Sequence, residues 1–252
     1  MRLGALLAPM PRDDAPPERL AEMSRTFEGE GYDSIWIPQA IGRGFMFTDP
    51  FVALAVAATA TTHVELGTAV VHVPLYQRMD LAHRIFSLVQ LAPTRFSLGV
   101  GAGSTEADFN AFGRDYGTRF RDFEAAMTEL RALRDTGALG NADLFPWQAT
   151  IGRPPFLLGT WGKSVATAAR DYDGWIASAT YRSTDEILAA HERYRAAGGK
   201  RAIVSTIQVA PDADLGELRE RFAVYADAGI DDAVVLIQHG GPDAGEVRKL
   251  LD

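Results

Sequence analysis

Short apolar runs alternate along the chain with stretches whose apolar residues recur at helical spacing. Leu3 to Pro9 reads as a first buried strand, ended by a Pro/Asp-rich loop through Pro17, and Ser34 to Pro38 reads as a second strand. Between them Glu18 to Gly31 carries Leu20, Met23 and Phe27 on one helical face, with Gly31 as the closing residue. Asp49-Pro50 pairs a capping residue with proline at the first helical position, and predicts a helix running to about Thr61. Val64 to Val73 reads as strand three, Asp80 to Ala92 as a helix, and Phe96 to Val100 as strand four. Arg119 to Thr136 places Phe120, Phe123, Met127, Leu130 and Leu133 on one helical face. Gly137 to Pro155 has weak periodicity. Beyond it, strands at Phe156–Leu158, Trp175–Ser178, Ala202–Val209 and Ala233–Ile237 alternate with helices at Lys163–Asp171, Thr184–Ala197, Leu215–Ala228 and Ala244–Leu251.

That alternation is the pattern of a parallel sheet covered by helices. A (β/α)8 TIM barrel accounts for the number of strands and the length of 252 residues together, with a doubly wound open sheet as the alternative. No repeat or linker divides the chain, so 1–252 reads as a single domain.

Composition narrows the function. A net charge of −8 argues against a nucleic-acid partner. Zero cysteines exclude disulfides, thiolate catalysis and Cys-ligated metals, and suit a reducing compartment. No apolar run approaches the roughly 20 residues of a membrane span, and the apolar start is too short for the core of a signal peptide. The expectation is a cytoplasmic protein with no membrane partner.

A barrel of this kind carries its chemistry in the loops that follow the strands. Strand four runs into Gly99, Gly101 and Gly103, where backbone can approach a flat or phosphorylated ligand, although an ordinary turn also favours glycine. The segment L-G-T-W-G-K-S brings Lys163 and Ser164 to a helix start, a setting that favours phosphate. It is not a Walker A loop, since Leu157 stands where that motif needs glycine. Gln238-His239-Gly240-Gly241, after the last strand, is the other candidate. Among the five histidines no metal spacing appears, and no metal ligand is assigned; His72 and His239 are placed to reach the mouth, whereas His63 begins a strand at the other end. Asp13-Asp14 and Asp231-Asp232 read as loop and cap residues, and Trp36 and Trp175 as core. Phe45, Met46 and Phe47 suit either a roof over a ligand or a dimer contact. Ser178 and Tyr181 are candidate contacts by position alone.

The chain resembles the bacterial luciferase-like family of flavin- and deazaflavin-dependent oxidoreductases. The resemblance rests on D-P-F-V-A-L-A-V-A-A-T-A-T from Asp49, V-E-L-G-T-A-V from Val64, R-F-S-L-G-V-G-A-G from Arg95, D-F-N-A-F-G from Asp108 and A-A-R-D-Y-D-G-W from Ala168, in that order and spacing. It implies a luciferase-like barrel with a flavin across its mouth, against Gly101, Ala102 and Gly103. A cis peptide at Ala69–Val70 would lie beneath the ring, and Thr160, Trp161, Gly162, Ser164 and Arg119 would hold the phosphate, with Arg121 and Arg78 as reserves. Two departures stand out. Gln39 occupies the position of a catalytic histidine in many members, and glutamine cannot act as a general base. Ser104, with Glu106 two residues on, stands where sugar-phosphate dehydrogenases of the deazaflavin branch carry glutamate. The residues nominated for catalysis are Gln39 and His72. The reading is a flavin-dependent oxidoreductase or monooxygenase that uses FMN on a small organic substrate. A deazaflavin (coenzyme F-420) hydride-transfer enzyme and a non-catalytic flavin-binding protein are the alternatives; a barrel lyase or isomerase would need an acid–base set that the strand ends lack. The resemblance also implies a homodimer, and a flavin reductase as a source of reduced cofactor.

Overall fold

In the computed structural model, which describes residues 1–8, 20–143 and 150–252, eight parallel strands close on themselves. They are β1 (Arg2–Leu6), β2 (Ser34–Ile37), β3 (Glu65–Thr68), β4 (Phe96–Gly101), β5 (Phe156–Gly159), β6 (Gly174–Ser178), β7 (Ala202–Val209) and β8 (Asp232–Ile237). Each pairs with the next in chain order, and β8 returns to β1, which makes the barrel. Around it lie α1 (Leu20–Gly29), α2 (Pro50–Ala60), α3 (Arg78–Leu91), α4 (Glu106–Ala111), α5 (Arg119–Thr136), α6 (Val165–Asp171), α7 (Thr184–Ala196), α8 (Leu215–Asp227) and α9 (Ala244–Arg248). Local chemistry sets their ends. Asp49 Oδ1 accepts from the N–H groups of Phe51 and Val52 at the start of α2, and Ser183 and Glu186 form a capping box on α7.

The core has two layers. The outward faces of the strands pack with the helices, and a smaller column of Leu6, Trp36, Leu157, Ile176, Ile203 and Val234 fills the barrel. Trp36 is fully buried there because β3 offers it Gly67; a Cβ on that glycine would lie 2.2 Å from the indole. The N-terminal end is closed by charge. Arg201 donates to Glu65 at 2.8 and 2.9 Å and to Asp232 at 2.8 and 2.9 Å, and Arg2 reaches both carboxylates. Burial pushes the Glu65 carboxyl up, but the hydrogen bonds and charge of Arg201, with Ser97 and Arg2, outweigh it and hold it below its ordinary value. A cavity of about 320 Å³ lies at this same end, bordered by Arg2, Glu65, Arg95 and Arg153. In such barrels this end serves stability, so the chemistry is sought at the other.

Four elements differ from expectation. Strand three stops at Thr68, ahead of the cis peptide that the resemblance implied and the structure has between Ala69 and Val70; Val71–His72 then pair briefly with β4, and Val73–Leu75 form a 3-10 turn around Pro74, which has no N–H for a ladder. α4 adds a helix of 6 residues, too short to show a period in the sequence. The helix expected from Lys163 opens with a 3-10 turn at Gly162–Ser164. Asp232, expected in a loop, begins β8 fully buried, because Arg201 and Arg2 neutralise it. Within Gly137–Pro155, Ala138–Leu139 pair with Ala142–Asp143 in a small antiparallel hairpin. Pro9, the loop through Pro17 with Asp13-Asp14, and Glu18 lie outside the described residues.

Candidate active site at the barrel mouth

The strands deliver their C-terminal ends to a mouth whose floor is uncharged. Val70 lies over the ends of β4 and β5. A Cβ on Gly101 would come 2.9 Å from Val70 Cγ2, and one on Gly159 would come 2.7 Å from Val70 Cγ1. Only glycine leaves room for Val70 at both places. Ala69, Val70, Leu236 and Phe47 sit partly exposed on top of the inner column, an apolar platform open to the mouth.

The opposite half is hydroxyl and amide. β7 bulges, since Val204 pairs with Ala233 but Ile207 with Val235, leaving one residue extra. Thr206, within the bulge, takes φ 60°, a left-handed conformation rare for a β-branched residue. Ser205 Oγ donates to the Ala177 carbonyl at 3.2 Å, and Gln238 Nε2 donates to Gln208 Oε1 at 3.1 Å.

Gln39, two residues beyond β2, has both sides of its amide engaged. Its Oε1 accepts the N–H of His72 at 2.8 Å, and its Nε2 donates to the Tyr76 hydroxyl at 2.8 Å. His72 is buried, and its Nδ1 is enclosed without a hydrogen-bond partner among the described residues, 3.6 Å from Asp108 Oδ2. Burial pushes the imidazole pKa down, Asp108 pushes it up and Arg43 down again; the balance is about 4, so the ring is neutral at neutral pH. Asp108, fully buried on α4, is held by Arg43, whose Nε lies 2.9 and 3.0 Å from its two oxygens and whose Nη2 also donates to Oδ2. The Ile41 N–H adds a bond of 3.3 Å, so Asp108 fastens the loop after β2 to α4. Tyr181, from the loop after β6, also acts on Arg43.

The segment named for phosphate forms an exposed turn, Gly162–Ser164, that leads into α6. Gly162 takes φ 64° with open space around it, and Lys163 and Ser164 face outward. Trp175 Nε1 donates to the Thr160 carbonyl at 2.9 Å and fixes the start of the turn. Arg119 stacks its guanidinium on Tyr116 and Phe120, at 3.8 and 4.2 Å from the ring centres, and donates from Nη1 to the Tyr116 carbonyl. Its Nε is enclosed without an acceptor among the described residues. The reserves are already paired, Arg78 with Glu129 and Arg121 with Asp122. Ala102 and Gly103 are partly exposed behind Gly101, His239 is exposed after β8, and His63 sits at the far end beside Glu28. Sequence reasoning did not pair Arg43 with Asp108, and it did not single out Tyr76 or Thr206. Of these, Asp108 carried a signal, inside the D-F-N-A-F-G motif.

Comparison with known proteins agrees with this architecture. The chain is 33% identical over 117 residues to 4-hydroxyprotoasukamycin monooxygenase of Streptomyces nodosus subsp. asukaensis, covering 44% of this chain but only 32% of that enzyme. It is 26% identical over 197 residues to an uncharacterized protein of Mycobacterium tuberculosis, 74% of this chain and 68% of the relative. Among solved structures, monooxygenase RslO1 from Streptomyces bottropensis superposes with a TM-score of 0.82 at 17% identity over 100% of this chain and 97% of that one. An F420-dependent secondary alcohol dehydrogenase, in complex with an F420-acetone adduct, gives 0.79 at 15% identity over 99% and 97%. The oxygenating constituent of 3,6-diketocamphane monooxygenase from Pseudomonas putida, in complex with FMN, gives 0.70 at 18% over 92% and 80%. These three share the fold. The family model for luciferase-like monooxygenases matches residues 2–247, and the chain therefore belongs to that family of oxidoreductase enzymes.

Proposed function

We infer that the chain is a flavin-dependent oxidoreductase of the monooxygenase type that seats FMN at the barrel mouth and acts on a small organic substrate. The observation that carries this reading is the uncharged platform at Val70, held between Gly101 and Gly159. A flat, largely apolar ring system fits such a floor, and the two glycines keep backbone within its reach. The enclosed, acceptor-less Nε of Arg119 suits the anionic end of the same molecule. Ala69, Val70, Gly101, Ala102 and Gly103 would hold the ring, and Thr160, Trp161, Gly162, Ser164 and Arg119 the phosphate. Bound there, FMN would supply the redox chemistry, by hydride exchange or by activation of oxygen.

The protein's own part is binding, orientation and exclusion of water. Gln39, bridged to Tyr76 and to the His72 backbone, is a positioning residue that locks the end of β2 to the segment carrying Val70. His72 stays neutral, so the mouth keeps a low charge beside the clasped Asp108. Arg43 holds the loop of Phe45 and Phe47 across the rim, and the two rings meet edge to face at 5.3 Å, a wall that keeps water out. The structural neighbours include both an FMN-bound and an F420-dependent enzyme, and the same platform would accept a deazaflavin.

Titration of the purified protein with FMN and with F420, followed by absorbance and fluorescence, tests the reading. Saturable quenching of FMN fluorescence and oxygen-dependent reoxidation of reduced FMN by the complex are expected. An F420 preference of about tenfold, ~1.4 kcal/mol, would move the assignment to the deazaflavin alternative. Binding without turnover would leave a flavin-binding protein, and binding of neither would overturn the site.

A further inference from the structure

Arg182, in the loop after β6, has a donor left over from its structural contacts. Its guanidinium lies over the Trp161 ring at 4.8 Å from the ring centre, and its Nη1 donates to the Tyr181 carbonyl at 2.6 Å. Among the described residues its enclosed Nε has no acceptor and no carboxylate pairs with it. Trp161 is itself fixed: it packs on the core beside Trp175, ring centres 6.2 Å apart, and Trp175 holds the neighbouring Thr160 carbonyl. Arg182 is thus fastened by an aromatic face to the residue that opens the Gly162–Ser164 turn. Lys163, also without a carboxylate partner among the described residues, stands in that turn. One cation stacked on Trp161 and another in the turn that Trp161 opens, neither paired with a carboxylate among the described residues, suit an anion in a chain of net charge −8. Stacking on tryptophan orients a guanidinium while leaving its in-plane N–H groups to donate.

We propose that Arg182 is a binding residue for the phosphate ester on the cofactor's tail, so that the tail is gripped by loops from β5 and β6 together and not by the β5 turn and Arg119 alone. This rests on the flavin reading above. The shared chemistry is a phosphate ester on a ribityl chain, a monoester in FMN or a diester in F420, and the assay separates the two.

Equilibrium titrations of wild type, Arg182→Met and Arg182→Lys use four probes: FMN, riboflavin, F420 and its phosphate-free deazaflavin counterpart. Quenching of ligand fluorescence is the readout, so turnover is not needed. Arg182→Met is expected to weaken the phosphorylated member of the bound pair by about tenfold or more and the phosphate-free member by less than about twofold, with Arg182→Lys recovering part of the loss. The salt dependence of phosphorylated-ligand binding should flatten in the same variant. Whichever pair responds identifies the ester. If wild type prefers the phosphorylated ligand and Arg182→Met keeps that preference, or loses both members of the pair equally, the role of Arg182 is refuted while the flavin site stands. If wild type binds none of the four, the flavin site falls and Arg182 with it.

Discussion

The Nδ1 of His72 faces Oδ2 of Asp108 across 3.6 Å, with the imidazole buried and the carboxylate already claimed by Arg43. Because the folded protein holds His72 near a pKa of about 4, against 6.5 in an open chain, the unfolded state binds the proton first. Between pH 6.5 and 4 the unfolded state therefore carries more protons, and stability falls as pH falls. The loss at this residue is about 3 kcal/mol across that window. Urea unfolding at a series of pH values should show a shallower acid slope for His72→Leu than for wild type. Parallel slopes would mean that His72 titrates normally.

Arg43 controls the same histidine from a distance. Its charge opposes protonation of His72, whereas Asp108 favours it. Arg43→Met should raise the His72 pKa, because Asp108 is left unneutralised, and Asp108→Asn with Arg43 intact should not raise it. Arg43→Met also strands a buried carboxylate, at a cost of about 3 kcal/mol. Proton NMR titration of the imidazole, with unfolding of the same variant, checks both. An unmoved or lowered pKa in Arg43→Met would remove the electrostatic link.

Val70 and its two glycines give a steric prediction. Gly159→Ala puts a methyl 2.7 Å from Val70 Cγ1, so the platform must shift. The expected stability loss is about 1–3 kcal/mol, accompanied by weaker FMN binding. Adding Val70→Ala should restore part of the stability, giving a favourable coupling in the double-mutant cycle. Additive losses would show that the two residues do not share the space.

The order of these elements was open to sequence reasoning, and the contacts across the mouth were not. Buried strands such as Phe96–Val100 announce themselves by uninterrupted apolar runs, and α2 by Asp49-Pro50. The periodic signal fails where an element is too short, as in α4, or where chain direction changes within an apolar run, as at Ala69–Val70. It fails again for pairs such as Arg43 and Asp108, 65 residues apart, because only closure of the barrel brings them together. Asp232 shows the converse: an acidic residue beside a turn looks like a cap until Arg201 and Arg2 are placed against it.

Arg201 divides stability from binding. Its guanidinium serves Glu65 and Asp232 at the closed end, so Arg201→Met leaves the partly buried Glu65 and the buried Asp232 with the half-exposed Arg2 as their remaining cation. A loss of about 3–5 kcal/mol is expected in urea, and FMN affinity of the remaining folded protein should not change. Since Glu65 is held below its ordinary value, its share of the stability is present above about pH 4.5 and fades as pH falls further. A change in FMN affinity at full folding would mean that the two ends of the barrel are coupled.

Thr206 sets fold against site within one residue. At φ 60° a threonine Cβ crowds the neighbouring backbone, a strain on the order of 1–3 kcal/mol, whereas glycine adopts the conformation freely and loses about 0.5–1 kcal/mol in chain entropy. Thr206→Gly should therefore raise stability by about 1 kcal/mol. Thr206→Val keeps the branched Cβ and removes the hydroxyl, so its stability should stay near wild type. If the bulge exists to aim that hydroxyl into the mouth, both variants lose turnover or ligand affinity, and only the glycine gains stability. Thermal unfolding and FMN titration of the pair separate the two effects. A glycine variant that melts earlier than wild type would show that the surrounding strands, and not any strain at Thr206, determine the bulge.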